Sequence, residues 1–143
     1  MKKSMQILLV EDNPSDVILT KKVLENLETP LQLNVVGDGD EAMAYLRCEP
    51  PYAESPRPDL ILLDLNMPKK DGCEVLREMQ LDETLRPIPV VVLTTSDHDM
   101  DVNNAYRLGA NSYIAKPSEL AAFASVIESI EHFWLRTVQL PTP

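Results

Sequence analysis

Short apolar runs without a polar face recur along this chain, and each stops on a side chain able to do chemistry. Ile7-Leu8-Leu9-Val10 stops at Glu11-Asp12, Leu60-Ile61-Leu62-Leu63 at Asp64, and Val90-Val91-Val92-Leu93 at Thr94. Runs this short, bounded by turn residues, suit parallel strands covered on both faces. The pattern predicts buried strands over Met5–Val10 and Val90–Thr94 and a central one at residues 60–63, where Asn66, Pro68 and Gly72 then turn the chain away. Leu31, Leu33 and Val35 alternate with Gln32 and Asn34, which predicts a second strand nearer the sheet edge. A fifth, short strand over Ser112–Ala115 runs into Lys116-Pro117.

Between these runs the period changes from two to three or four. Asn13 caps a helix with Pro14 in its first turn, and Val17, Thr20, Val23, Leu24 and Leu27 form its inward stripe. Asp38-Gly39-Asp40 leads into a short helix carrying Ala42, Tyr45 and Leu46, and Cys73, Leu76 and Met79 mark a third. Ser96 or Asp97 can cap a fourth, with Val102, Ala105 and Leu108 inward and Gly109 closing it. The last helix starts near Ser118-Glu119, with Leu120, Phe123, Ile127, Ile130 and Trp134 on one face, and would run roughly 28 Å at the usual rise if it extends to Arg136. Residues 47–58, with Pro50, Pro51, Pro56 and Pro58, interrupt the rhythm as an irregular surface excursion. Five strands alternating with five helices predict an α/β fold with a doubly wound parallel sheet.

Composition narrows the partners. The 143 residues suit one domain that buries a single core without a disulfide or metal staple. The net charge of −10 opposes nucleic acid and anionic membrane and favours a cation. Cys48 and Cys73 lack a C-x-x-C partner or histidine spacing and read as free thiols in a reducing compartment. Met1-Lys2-Lys3-Ser4 imitates a secretion signal, but Glu11-Asp12 ends the apolar run too soon, and no stretch is long enough to span a membrane. The expected location is the cytoplasm.

All strands of a parallel sheet end on one side, so Glu11, Asp12, Asp64, Thr94 and Lys116 are predicted to converge outside the carboxyl edge. Three carboxylates there repel one another unless a proton or cation sits among them. Oxygen ligands in a small pocket favour Mg²⁺. That set suits phosphoryl chemistry, with Asp64 as the in-line nucleophile, Thr94 donating to a phosphoryl oxygen, and Mg²⁺ and Lys116 balancing charge.

In combination, Glu11-Asp12, Asp64 with Asn66, Met67, Pro68 and Gly72, Thr94, Tyr113 and Lys116-Pro117 resemble the receiver domain of two-component response regulators over nearly the whole chain. The resemblance implies a flavodoxin-like sheet of order 2-1-3-4-5. It implies Asp64 as phospho-acceptor, and Glu11, Asp12, Asp64 and the backbone carbonyl of Asn66 around Mg²⁺, for which Mn²⁺ or Ca²⁺ can substitute. Thr94 and Tyr113 match the switch positions, and Lys116-Pro117 resembles a bond that is cis in the family. Glu11 departs from the aspartate of many members. With no effector following, a stand-alone receiver over residues 1–143 is expected, with the proline-rich insertion 47–58 and an extended helix and tail at 131–143. Insertion and tail are similar to the regulators paired with phytochrome histidine kinases, so the phosphate is expected from such a kinase. Phosphorylation is expected to pull Thr94 toward Asp64 and let Tyr113 swing inward. That movement would change the surface of the fourth helix, fifth strand and fifth helix, where Phe133 and Trp134 are candidates for a homodimer contact.

Three other readings share features of this pattern. A haloacid-dehalogenase-like phosphatase needs an acid two residues beyond Asp64, where Asn66 stands. A flavodoxin-like cofactor site needs a phosphate cradle where Glu11-Asp12 would repel one. The complete acid, hydroxyl and lysine set argues against a degenerate receiver acting only as a scaffold.

Overall fold

The apolar runs pair side by side. In a computed structural model, which describes residues 4–142, β1 (Met5–Val10), β2 (Leu31–Val36), β3 (Leu60–Leu63), β4 (Val90–Thr94) and β5 (Ser112–Ala115) form a parallel sheet of order β2-β1-β3-β4-β5. Met1, Lys2 and Lys3 of the signal-like start, and Pro143 at the end of the tail, lie outside the described residues. Helices α1 (Pro14–Glu25), α2 (Gly39–Leu46), α3 (Gly72–Gln80), α4 (Asp99–Arg107) and α5 (Leu120–Ile130) make the crossovers. The sheet is doubly wound, as the alternation predicts, and its order is the flavodoxin-like one implied by the resemblance.

The period of two along each strand sorts the core into two layers. Leu8, Val10, Ile61, Leu63, Val90 and Val92 face Met43, Val75, Leu76, Met79 and Ala105 of α2, α3 and α4. Ile7, Leu9, Leu60, Leu62, Val91 and Leu93 face Leu24, Phe123, Ile127 and Ile130 of α1 and α5. All four residues of β3 are buried, as a strand covered on both faces requires.

Side-chain caps set the starts of α1, α2 and α3. The Asn13 side chain accepts from the N–H groups of Ser15 and Asp16, Asp38 from that of Glu41, and Asp71 from that of Glu74. The α4 cap differs from the expectation at Ser96 or Asp97. The flanking residue is His98, without a side-chain cap, because the Ser96 hydroxyl bonds Asp101 instead. Gly109 closes that helix at φ +105, where a Cβ would be strained. Leu120, expected on the inward stripe, is 72% exposed because α5 begins there rather than at Ser118.

The predicted run to Arg136 changes character after Ile130. Residues Glu131–Thr137 form a π-helical segment whose wider turn is closed by Val138 N–H donating to the Phe133 carbonyl. Glu131 is 2% exposed, continuing the spacing of Phe123 and Ile127. The Thr29 hydroxyl donates to its carboxylate, and Arg136 lies 3.1 Å away, offsetting the cost of burying the charge. Residues 47–58 hold no helix or strand, and Tyr52 packs against Tyr45 with ring centroids 5.5 Å apart.

Candidate metal and phosphoryl site

Strand register builds the site. Val10 lies opposite Leu63, Leu63 opposite Val92, and Thr94 opposite Ala115, so Glu11, Asp64, Thr94 and Lys116, each at or just past the end of its strand, reach the same edge. Two backbone bonds continue the ladder past the strands, from Asp64 N–H to the Val10 carbonyl at 3.0 Å and from Lys116 N–H to the Thr94 carbonyl at 2.6 Å. Glu11, Asp64 and Thr94 are therefore buried at 4%, 7% and 0% exposure, whereas Asp12 faces solvent.

Carboxylate oxygens of Glu11, Asp12 and Asp64 lie within 4.8 Å of one another. Among the described residues their cationic neighbour is Lys116, whose ammonium bonds Glu11 directly, Asp16 at 2.9 Å and Asp64 at 3.5 Å. Burial pushes the Glu11 carboxyl up to about 7, and the Asp64 charge adds to this, against the pull of Lys116 and the Asn13 N–H. Burial alone would lower the Lys116 value, but the carboxylates around it outweigh that and hold it above its ordinary range. The pocket is short of positive charge, and its donors are hard oxygens at close spacing. A divalent ion of the Mg²⁺ or Mn²⁺ kind fits both conditions.

Around Asp64 the contacts divide between its oxygens. The buried Thr94 hydroxyl donates to Oδ1 at 2.8 Å and the Asn66 backbone N–H donates to the same atom at 3.2 Å, while Lys116 reaches Oδ2. Asn66 is exposed on the loop, with its side-chain amide 3.5 Å from the Thr94 hydroxyl. Gly72 makes room for this turn, since a Cβ there would lie 2.5 Å from the Asp64 carbonyl oxygen.

Two expectations change. Tyr113 already lies inward: its ring packs against the α2–α3–α4 layer and its hydroxyl donates to the Ser96 carbonyl at 2.8 Å, because that carbonyl gives the half-buried phenol a partner. The Lys116–Pro117 bond is not cis. The cis bond found among the described residues is Pro50–Pro51. Trans is the intrinsically favoured isomer by about 0.5–1 kcal/mol, and in that form Lys116 already reaches Glu11, Asp16 and Asp64.

Phe133 is 49% exposed, whereas Trp134 is half-buried against the α1–α5 layer and meets Phe133 edge-on at 5.4 Å. Asp16 escaped sequence reasoning because it reads as an ordinary first-turn acid of α1. Its signal was its place one turn after the Glu11-Asp12 pair, which turns it back over the same strand ends.

Residues 7–128 match the family described as response regulator receiver domain. Response regulator Rcp1 of Synechocystis sp. is 48% identical over 135 residues, covering 94% of this chain and 92% of that protein. The crystal structure of the phosphorylated cyanobacterial phytochrome response regulator RcpA matches with a TM-score of 0.95 at 50% identity, covering 98% of this chain and 100% of that one. The Mn²⁺-bound form of Rcp1 matches with a TM-score of 0.93 at 47% identity, covering 96% and 99%. With its sheet order and its divalent-metal site, this chain belongs to the receiver-domain family as a phospho-accepting response regulator.

Proposed function

We propose that Asp64 is the phospho-acceptor of a two-component system, loaded by a histidine kinase of the phytochrome type. The observation that carries this reading is the division of contacts at one carboxylate. Thr94 holds Oδ1 at 2.8 Å, Lys116 approaches Oδ2 at 3.5 Å, and the oxygens of Glu11 and Asp12 stand within 4.8 Å. In the transfer, an Asp64 oxygen forms a bond to phosphorus as the bond from phosphorus to the donor breaks. The departing imidazole nitrogen, or the oxygen of a small acyl phosphate, keeps the electron pair. Glu11, Asp12, Asp64 and the Asn66 carbonyl would hold Mg²⁺, which when bound supplies positive charge for the phosphoryl oxygens. Thr94 hydrogen-bonds one such oxygen and Lys116 neutralises another. In this reading the chain is a signalling acceptor that assists its own loading and unloading and turns over no other substrate.

The relatives named as phytochrome response regulators support the kinase assignment. The reading includes a single cytoplasmic receiver whose insertion at 47–58 and tail at 131–143 are attachments to one domain. It also includes a homodimer through the surface of α4, β5, α5 and the tail. Met100 and Tyr106 on α4, Leu120 on α5, and Phe133 beyond it are exposed at 75%, 48%, 72% and 49%, which supports an apolar contact there. Thr94 and Tyr113 form the switch behind that surface, and loading of Asp64 fixes their inward arrangement.

Incubation with acetyl phosphate and Mg²⁺, read on a phosphate-affinity gel, tests the reading. Wild type should give a shifted band that Asp64→Asn and a chelator each abolish. Equal labelling of the Asp64 variant would overturn the assignment.

A further inference from the structure

Lys116 has no donor to spare. An ammonium offers three N–H groups, and its neighbours are Glu11, Asp16 at 2.9 Å and Asp64 at 3.5 Å. A phosphoryl oxygen arriving on Asp64 can be bonded by Lys116 only if one of these partners yields. Glu11 is held in place, with its side chain 3% exposed and its other oxygen accepting the Asn13 N–H at 3.1 Å. Asp64 is itself the group that carries the arrival. Asp16 differs from both. Its side chain is 24% exposed, so water can replace the lost bond, and it lies outside the cluster of three carboxylates suited to a metal.

We propose that Asp16 is a positioning residue that holds Lys116 in the unloaded state and releases it when Asp64 is phosphorylated. The inference rests on the reading of Asp64 as acceptor and adds a regulatory contact that neither the metal nor the switch residues supply. Asp16 stabilises the unloaded state by a contact that the loaded state surrenders, and it leaves a carboxylate near the phosphoryl oxygens. Both effects oppose loading. It therefore sets how readily a given donor concentration fills the acceptor and how long the phosphate stays. Because Asp16 lies in the first turn of α1, the restraint travels with that helix, not with the loops that carry Glu11 and Asp64.

The test compares wild type, Asp16→Asn, Asp16→Glu and Asp64→Asn at saturating Mg²⁺, with acetyl phosphate as donor. Rates of labelling are measured across donor concentration and ionic strength, followed by loss of phosphate after the donor is removed. Asp16→Asn should label about fivefold faster and release phosphate more slowly, as expected for removing one partly solvated charge contact. The gain should lie in the limiting rate and persist at high salt. Asp16→Glu should restore wild-type behaviour, and matching melting curves show that the fold is unchanged. A gain confined to the donor KM and erased by salt would mean simple repulsion of an anionic donor and would overturn the positioning role. Wild-type rates in Asp16→Asn, with Asp64→Asn unlabelled, would also overturn it while leaving the acceptor assignment intact. Labelling of Asp64→Asn would sink both.

Discussion

At the scale of single residues, the site depends on one buried cation. Replacing Lys116 by Met leaves Glu11 and Asp64 without their ammonium, and breaking a buried charge pair in this way costs about 3 kcal/mol. Urea unfolding in the absence of divalent ions should show that loss, and adding Mg²⁺ should recover part of it. An unchanged midpoint would mean that solvent already screens the pocket. Thr94 was legible in the sequence because it ends an apolar run, and its hydroxyl does reach Asp64. Asp16 and Glu131 were not. A charged residue at a helical spacing reads as solvated, and only the folded chain shows which such positions turn back onto the sheet.

Between elements, α2 and the loop after β3 are clasped where Gly39 N–H donates to the Lys70 carbonyl at 3.0 Å. A Cβ at Gly39 would stand 2.1 Å from that oxygen. Gly39→Ala should therefore destabilise the protein by about 2 kcal/mol, as overpacked contacts do, and a melting curve would register it. Glu78 on α3 adds an electrostatic tie, pairing with Lys70 and with Arg47 at 3.1 Å. Partial burial would raise its carboxyl value, but the two cations prevail and hold it below the ordinary glutamate range. A depressed folded value contributes stability above the unfolded value and loses it as pH falls through the folded one. Glu78→Gln should cost about 0.5 kcal/mol at neutral pH, and urea titrations should show the gap closing in acid. Element order and type were readable from the alternation of periods. Helix ends were less so, because the α4 cap and the turn after Ile130 depend on which side chain wins a local hydrogen bond.

For the molecule as a whole, the charge of −10 and the carboxylate cluster make metal a stabiliser. Mg²⁺ at a hundred times its Kd should add about 2.7 kcal/mol to unfolding, and calorimetry with and without a chelator would measure this. In the proposed homodimer, Phe133→Ala should shift the equilibrium toward monomer in sedimentation without altering the melt of dilute protein, since Phe133 is half exposed. The strand order of the sheet came from the family resemblance, whereas its doubly wound parallel form followed from the alternation of strands and helices, because right-handed crossovers leave few alternatives. Which apolar residues stay uncovered did not, since periodicity marks faces and not their partners. One feature of that topology governs how substitutions at Asp16, Asp64 and Thr94 behave. The strand ends are held in step by main-chain bonds, so trimming any one carboxylate or hydroxyl leaves the platform standing. Defects in the edited proteins will report lost reactivity instead of a collapsed scaffold, which makes the cleft suited to dissection one atom group at a time.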